Sequence, residues 1–139
     1  MADPKVEYVR QWLLHAERDL GYARLGGMPG EQFYAQALFQ CQQAAEKALK
    51  GFLAFHDVEL EKTHELEPLI RKASAFDERF ATLVDEAVLL KPYAVDVRYP
   101  GDLQEPTEIT FDEGIAAAEA VLQLVFDALP PEVRPGPRK

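Results

Sequence analysis

A single cysteine, Cys41, stands in a chain of 139 residues, so no intrachain disulfide can form and no zinc site can be built from thiolates. Set inside an apolar helical stretch, it reads as a small buried hydrophobe. Basic residues are scarce: 15 Lys and Arg against 24 Asp and Glu, for a net charge of −9. That balance excludes a broad sheath for nucleic acid, which must neutralise phosphates, but leaves room for a small basic pocket. Long apolar runs are missing too. No segment approaches the ~20 residues that span a bilayer. The opening "MADPKVEYVRQWLL" has no positive leader followed by an apolar run, so the expectation is a cytoplasmic protein without a signal peptide. Period-two alternation, internal repeats and a second domain are all absent. Only three histidines occur, His15, His56 and His64, and neither a metal nor a cofactor is expected.

Helical periodicity fills the space that these absences leave. "ADPKVEYVRQWLLHAERDLGYARLGG" places Asp3 as an N-cap and Pro4 at the first helical position. Val6, Val9, Leu13, Ala16, Leu20 and Ala23 follow at spacings of three and four, and Gly26 and Gly27 end the helix. A second helix runs from near Glu31 to near Phe55. A short third one starts at Thr63 as N-cap or, because of Pro68, nearer Glu67, with Leu66, Leu69, Ile70 and Ala73 inward. The fourth has Asp77 as its cap, an apolar face of Phe80, Leu83, Val84, Ala87 and Leu90, and Pro92 as its stop. A loop, "AVDVRYPGDLQEPTEI", leads to a fifth helix that opens on a capping box, Thr110 to Glu113. The fold class is all-α, an up-and-down bundle of about five helices. Residues 1–129 form one domain, and the proline-rich residues 130–139 read as a flexible tail.

The second helix is unusual. Phe33, Ala37, Cys41, Ala44, Ala48 and Phe55 make one apolar stripe, and Tyr34, Leu38, Ala45, Leu49 and Phe52 an adjoining one. The polar remainder is a narrow edge of Gln36, Gln40, Gln43 and Lys47, with Glu46 and Lys50 as an i, i+4 ion pair. A helix so widely apolar must be covered on most sides. Either it is the central helix of its own bundle, or one stripe faces a second copy of the chain; a homodimer is expected on that ground.

"ALFQCQQAAEKALKGFL" resembles the signature of the HEPN family, the higher-eukaryote and prokaryote nucleotide-binding domain, whose second helix carries a similar Gln-Gln-Ala-Ala-Glu-Lys-Ala-Leu-Lys run. "THEL", Thr63 to Leu66, is similar to the family's start of the third helix, and "YAVDVRYPGD", Tyr93 to Asp102, to its arginine–tyrosine–proline loop. Trp12, Ala16, Asp19 and Leu20 fit the opening pattern, so the likeness spans roughly residues 5 to 128. The resemblance implies a dimerising helical bundle. It also implies a minimal nucleotidyltransferase as partner in a toxin–antitoxin pair and, in many members, metal-independent ribonuclease activity. The family's active motif is an arginine, four to six intervening residues, then a histidine.

Arg98 matches that arginine, but Leu103, Gln104 and Glu105 occupy the positions where a histidine should follow. Metal-free RNA cleavage needs a base, an acid and a cation on the phosphate. Arg98 suits the phosphate, since a guanidinium grips it with two parallel hydrogen bonds. His64, beside a positive helix end, is the substitute for the missing histidine; its alternatives are a ligand contact or a packing role. The candidate catalytic residues are thus Arg98 and His64. The candidate nucleotide-binding residues are Gln43, Lys47, Lys50, His64, Arg98 and Tyr99, the tyrosine as a stacking or space-filling ring. His15 and His56 are expected to be structural or solvated. The function expected is a module that binds a nucleotide or an RNA end and assembles with a nucleotidyltransferase. The alternative is a ribonuclease toxin with an altered site.

Overall fold

A computed structural model describes residues 3–30, 33–95 and 106–136. Five α-helices follow in order: α1 Pro4–Leu25, α2 Tyr34–Phe55, α3 Leu66–Ser74, α4 Val84–Leu90 and α5 Glu108–Ala128. No strand occurs among the described residues. No helix among them is long and apolar enough to cross a membrane.

Each boundary has a local cause. The Asp3 side chain accepts from the Lys5 N–H and Pro4 opens α1, as expected. α2 begins at Tyr34, later than its apolar period suggested. α3 begins at Leu66, close to the later of its two expected starts, with Thr63 Oγ1 accepting from the Glu65 N–H just before it. The fifth helix corrects an expectation. Its cap is Thr107, one turn before the Thr110–Glu113 box, with Thr107 Oγ1 accepting from the Thr110 N–H at 3.2 Å. Thr107→Ala should therefore lower the unfolding free energy by about 1 kcal/mol, and Thr110→Ala by clearly less. Chemical denaturation followed by circular dichroism reads both.

The fourth helical segment is mixed. Asp77 caps it, but Glu78–Leu83 is a 3-10 turn, α4 proper starts at Val84, and a second 3-10 turn follows at Lys91–Tyr93. Phe80, Leu83, Ala87 and Leu90 are buried, whereas Val84 is 58% exposed. Neighbours in a helix point about 100° apart, so Leu83 and Val84 cannot share the narrow inward side of so short a helix.

α2 lies at the centre. Cβ atoms added at Gly51 and Gly26 would come within 3.0 Å of Leu13 and 2.7 Å of Ala37, so α1 and α2 cross closely and run antiparallel. A Cβ on Gly114 would lie 2.2 Å from Leu38 Cδ2; only glycine lets α5 sit this near α2. Tyr34 and Phe111 pack at 5.2 Å, so α5 runs parallel to α2. Both apolar stripes of α2 are spent inside its own chain: Ala37, Leu38, Cys41, Ala44, Ala45, Ala48, Leu49 and Phe52 are all buried. The idea that one stripe faces a second copy is corrected by that enclosure. Burial pushes the Cys41 thiol up to about 12, leaving it protonated and inert. Beyond α5, a short 3-10 turn at Pro131–Val133 buries Val133 completely, and Arg10 donates to the Glu132 carbonyl.

At the far end of α2, His56 stacks on Phe76, centroids 4.3 Å apart. Burial holds its pKa below the ordinary 6.5, helped by the nearby Lys5 ammonium, while Asp57 opposes. The unfolded chain thus binds this proton more readily than the folded one. Stability is full above pH 6.5 and falls as pH drops through 6.5 towards the folded value. Denaturation midpoints should decline over that window in the wild type, and the decline should shrink in His56→Gln.

Candidate functional site

A third row runs along α2 between the apolar stripes and the glutamine edge. Gln42, Glu46 and Lys50 lie at i, i+4 and i+8, one above the other on a single face. All three are buried, with 1%, 4% and 8% of their surface exposed. Such burial requires partners, and each has them. Glu46 Oε2 pairs with Lys50 Nζ at 3.0 Å. Glu46 Oε1 lies 3.2 Å from His64 Nδ1. Gln42 Nε2 donates to the His64 main-chain carbonyl, and Gln42 Oε1 accepts from Gln43 Nε2 at 2.9 Å. Lys50 Nζ also sits 6.0 Å from the centre of the Trp12 ring.

The row holds His64 by backbone and ring at once. A carboxylate only accepts, so the proton on that edge belongs to Nδ1, which leaves Nε2 as the acceptor nitrogen of the neutral ring. The side chain remains 62% exposed. It stands at the rim of a cleft of about 190 Å³ between α3 and α4. Leu66 and Ile70 form one wall and Val84, Ala87 and Val88 the other. Gln42 lies at the base, with Glu65, Glu67 and Lys91 around the mouth.

The residues expected at the site fall into three groups. Gln43, Lys50 and His64 are brought into one network. Lys50 lies inside it, however, with its ammonium on Glu46 and only 10% of its side chain exposed. Lys47 belongs elsewhere, paired with Asp19 at 2.7 Å beside a groove lined by Tyr8, Trp12 and His15. Arg98 and Tyr99 lie outside the described residues. Sequence reasoning passed over Gln42, Glu46 and Lys91. The signal for the first two was present: three polar residues at successive turns, inside an arc that is otherwise apolar, are either misplaced or jointly satisfied. Among the described residues no cluster of three or more His, Cys, Asp or Glu is arranged to hold a metal.

The model of the HEPN domain matches residues 9–129. The chain belongs to the HEPN domain family. A solved HEPN structure agrees: the crystal structure of ST0689, an archaeal HEPN homologue, is 33% identical. The match covers 86% of this chain and 95% of that one, with a TM-score of 0.68. No curated protein matches. Within this HEPN fold, the Gln-Gln-Ala-Ala-Glu-Lys-Ala-Leu-Lys stretch has a structural reading. Its alanines are fully buried between the helices, and its first of two glutamines, its glutamate and its second lysine make the buried row that holds His64.

Proposed function

We propose that this HEPN domain is a binding and assembly module: it takes a nucleotide or an RNA end at the His64 rim and works with a minimal nucleotidyltransferase subunit in a toxin–antitoxin-like system. The observation that carries the reading is His64 itself. A buried carboxylate and a buried amide fix it at the mouth of a cleft. A histidine needed only for packing would not be left 62% exposed with its ring so oriented. Binding, rather than cleavage, is favoured by the missing histidine of the family's motif. His15 lies on α1, His56 is stacked on Phe76, and positions 103–105 are Leu, Gln and Glu. Arg98 is assigned to the ligand phosphate and Tyr99 to its base or sugar, with Gln43 supporting Gln42 and Lys50 supporting Glu46. A homodimer remains the expected state, through apolar surface other than the stripes of α2.

Calorimetric titration with ATP tests the ligand part. Saturable heat is expected, weakened in His64→Ala; none at millimolar ATP removes it and leaves the assembly part to be judged by co-elution with the nucleotidyltransferase subunit.

One observation favours a second reading, an RNA-cleaving toxin. A carboxylate behind an imidazole is how a general base is held in the correct tautomer. Incubation of RNA with wild type, Arg98→Ala and His64→Ala separates the two readings. Cleavage by the wild type that disappears in both variants supports the toxin; no cleavage above background ends it.

A further inference from the structure

The cleft beside His64 has features that a single histidine contact does not use. Its volume, about 190 Å³, is below the ~300–1,000 Å³ of pockets that enclose a whole ligand, so it takes one portion of a larger molecule. Its walls are aliphatic and face each other from two helices, a shape suited to a flat ring. Val84 and Val88, on successive turns of α4, are 58% and 66% exposed, whereas Val9, Val121, Val125 and Val133 are all fully buried. The two outward valines form an exposed apolar pair on the cleft's lip, although Val95 is also exposed and Val6 and Val58 are only half-buried.

The rim is charged in both senses. Lys5, Lys47, Lys50 and Lys72 are each held by a carboxylate; Lys91, like Lys62, has no carboxylate partner among the described residues. On a chain of net charge −9, a free ammonium beside His64 is an address for an anion. Across the mouth, Glu67 is paired with Arg71, while the Glu65 carboxylate makes no side-chain contact among the described residues. It is exposed and free to accept from a ligand. Adenine, guanine and cytosine carry an exocyclic amino group to fill it; uracil offers only its ring N3–H, flanked by two carbonyls that a carboxylate repels.

We propose that the α3–α4 cleft is a base-binding subsite. The base of a nucleotide lies between the α3 wall and Val84–Val88, its amino group donates to Glu65, its phosphate stays outside on Lys91, and His64 Nε2 accepts from a ribose hydroxyl. The inference rests on the nucleotide-binding reading and fixes which part of the ligand enters and which bases are accepted. An apolar side chain of a protein partner suits the valines but leaves Lys91 and Glu65 unused.

Methyl NMR of the full chain with AMP, adenosine and UMP tests it. AMP should move the Val84, Ala87 and Val88 signals; adenosine should move the same signals at higher concentration. UMP should bind about tenfold more weakly, the worth of roughly one good hydrogen bond to a charged group. Val88→Glu, at an exposed position, should melt like the wild type yet lose the AMP shifts. A short RNA ending in A that binds tighter than AMP makes an RNA end the source; a tighter AMP makes it a free nucleotide. AMP binding with shifts confined to other methyls overturns the subsite and leaves the nucleotide-binding function standing. Equal affinity for AMP and UMP overturns the role of Glu65, and undiminished binding by Val88→Glu overturns the wall. No binding of any nucleotide overturns the subsite together with the ligand part of the proposed function. If Val88→Glu then weakens co-elution with the nucleotidyltransferase subunit, the cleft is a protein contact instead.

Discussion

Ala44→Glu should abolish folding of the isolated chain. Ala44 is fully buried in the middle of α2, among the alanines that let α1 and α5 approach. A carboxylate there has no water and no cation, and its charged form is disfavoured far beyond what a small domain can absorb. Even protonated, the side chain brings extra heavy atoms into a close crossing, which costs about 1–3 kcal/mol by itself. With an unpartnered polar group added, the loss should exceed about 4 kcal/mol, much of the roughly 5–15 kcal/mol that holds a domain of this kind folded. The far-ultraviolet circular dichroism signal should collapse, or the melting transition should move down by more than ten degrees. Gln36→Glu, on the exposed side of the same helix, should change the unfolding free energy by no more than about 0.5 kcal/mol. A folded Ala44→Glu chain with wild-type melting and a halved mass by light scattering would mean that Ala44 faces a second copy, and would overturn the enclosure of α2.

How much of this was legible without coordinates depends on which physical signal each element carries. α1 and α2 are long, strongly periodic and bounded by an aspartate–proline start or a glycine pair, so their existence and inward faces follow from the residues. Val84 was misjudged because a 3-10 turn precedes it; 3-10 and α-turns have the same short-range residue preferences but rotate the side chains differently. The start of α5 was misplaced because two threonines three apart each carry a capping hydroxyl. The sequence cannot say which one has the extended backbone that a cap needs; Thr107 has it, with ψ at 170°. At the site, Lys47 and Lys50 looked alike as lysines on one helix. Their fates differ because α1 offers Asp19 to the first, while Glu46 draws the second inward beside Trp12. Those are tertiary choices, made by residues 28 positions away or by an indole on another helix. Family resemblance located His64. It did not disclose that the glutamate of the same motif is what grips the imidazole.

That grip yields the second large effect. Glu46→Gln removes the only carboxylate on the Lys50 ammonium among the described residues and the carboxylate that accepts from His64 Nδ1. Lys50 cannot easily turn to solvent, since its side chain is 10% exposed and packed by Trp12. Breaking one partner of a buried pair leaves an uncompensated charge, and the expected loss is about 3–5 kcal/mol. Replacing both charges should behave differently. Glu46→Gln with Lys50→Met keeps the volumes and removes the stranded ammonium, so the double variant should recover to within about 1–2 kcal/mol of the wild type. Denaturant unfolding of the two single variants and the double one gives the coupling directly; a Glu46→Gln loss under about 1 kcal/mol would show that the pair is solvated and that the row is not buried as described. If an uncharged row is nearly as stable, stability alone does not explain a carboxylate and an ammonium inside this bundle. The remaining role is orientation of His64. The double variant should then keep its melting temperature while binding AMP about tenfold more weakly, because an amide at position 46 no longer favours the Nδ1-protonated ring over its other tautomer as a carboxylate does. Unchanged AMP affinity in a stable double variant would separate Glu46 from the ligand altogether and leave it a structural ion pair.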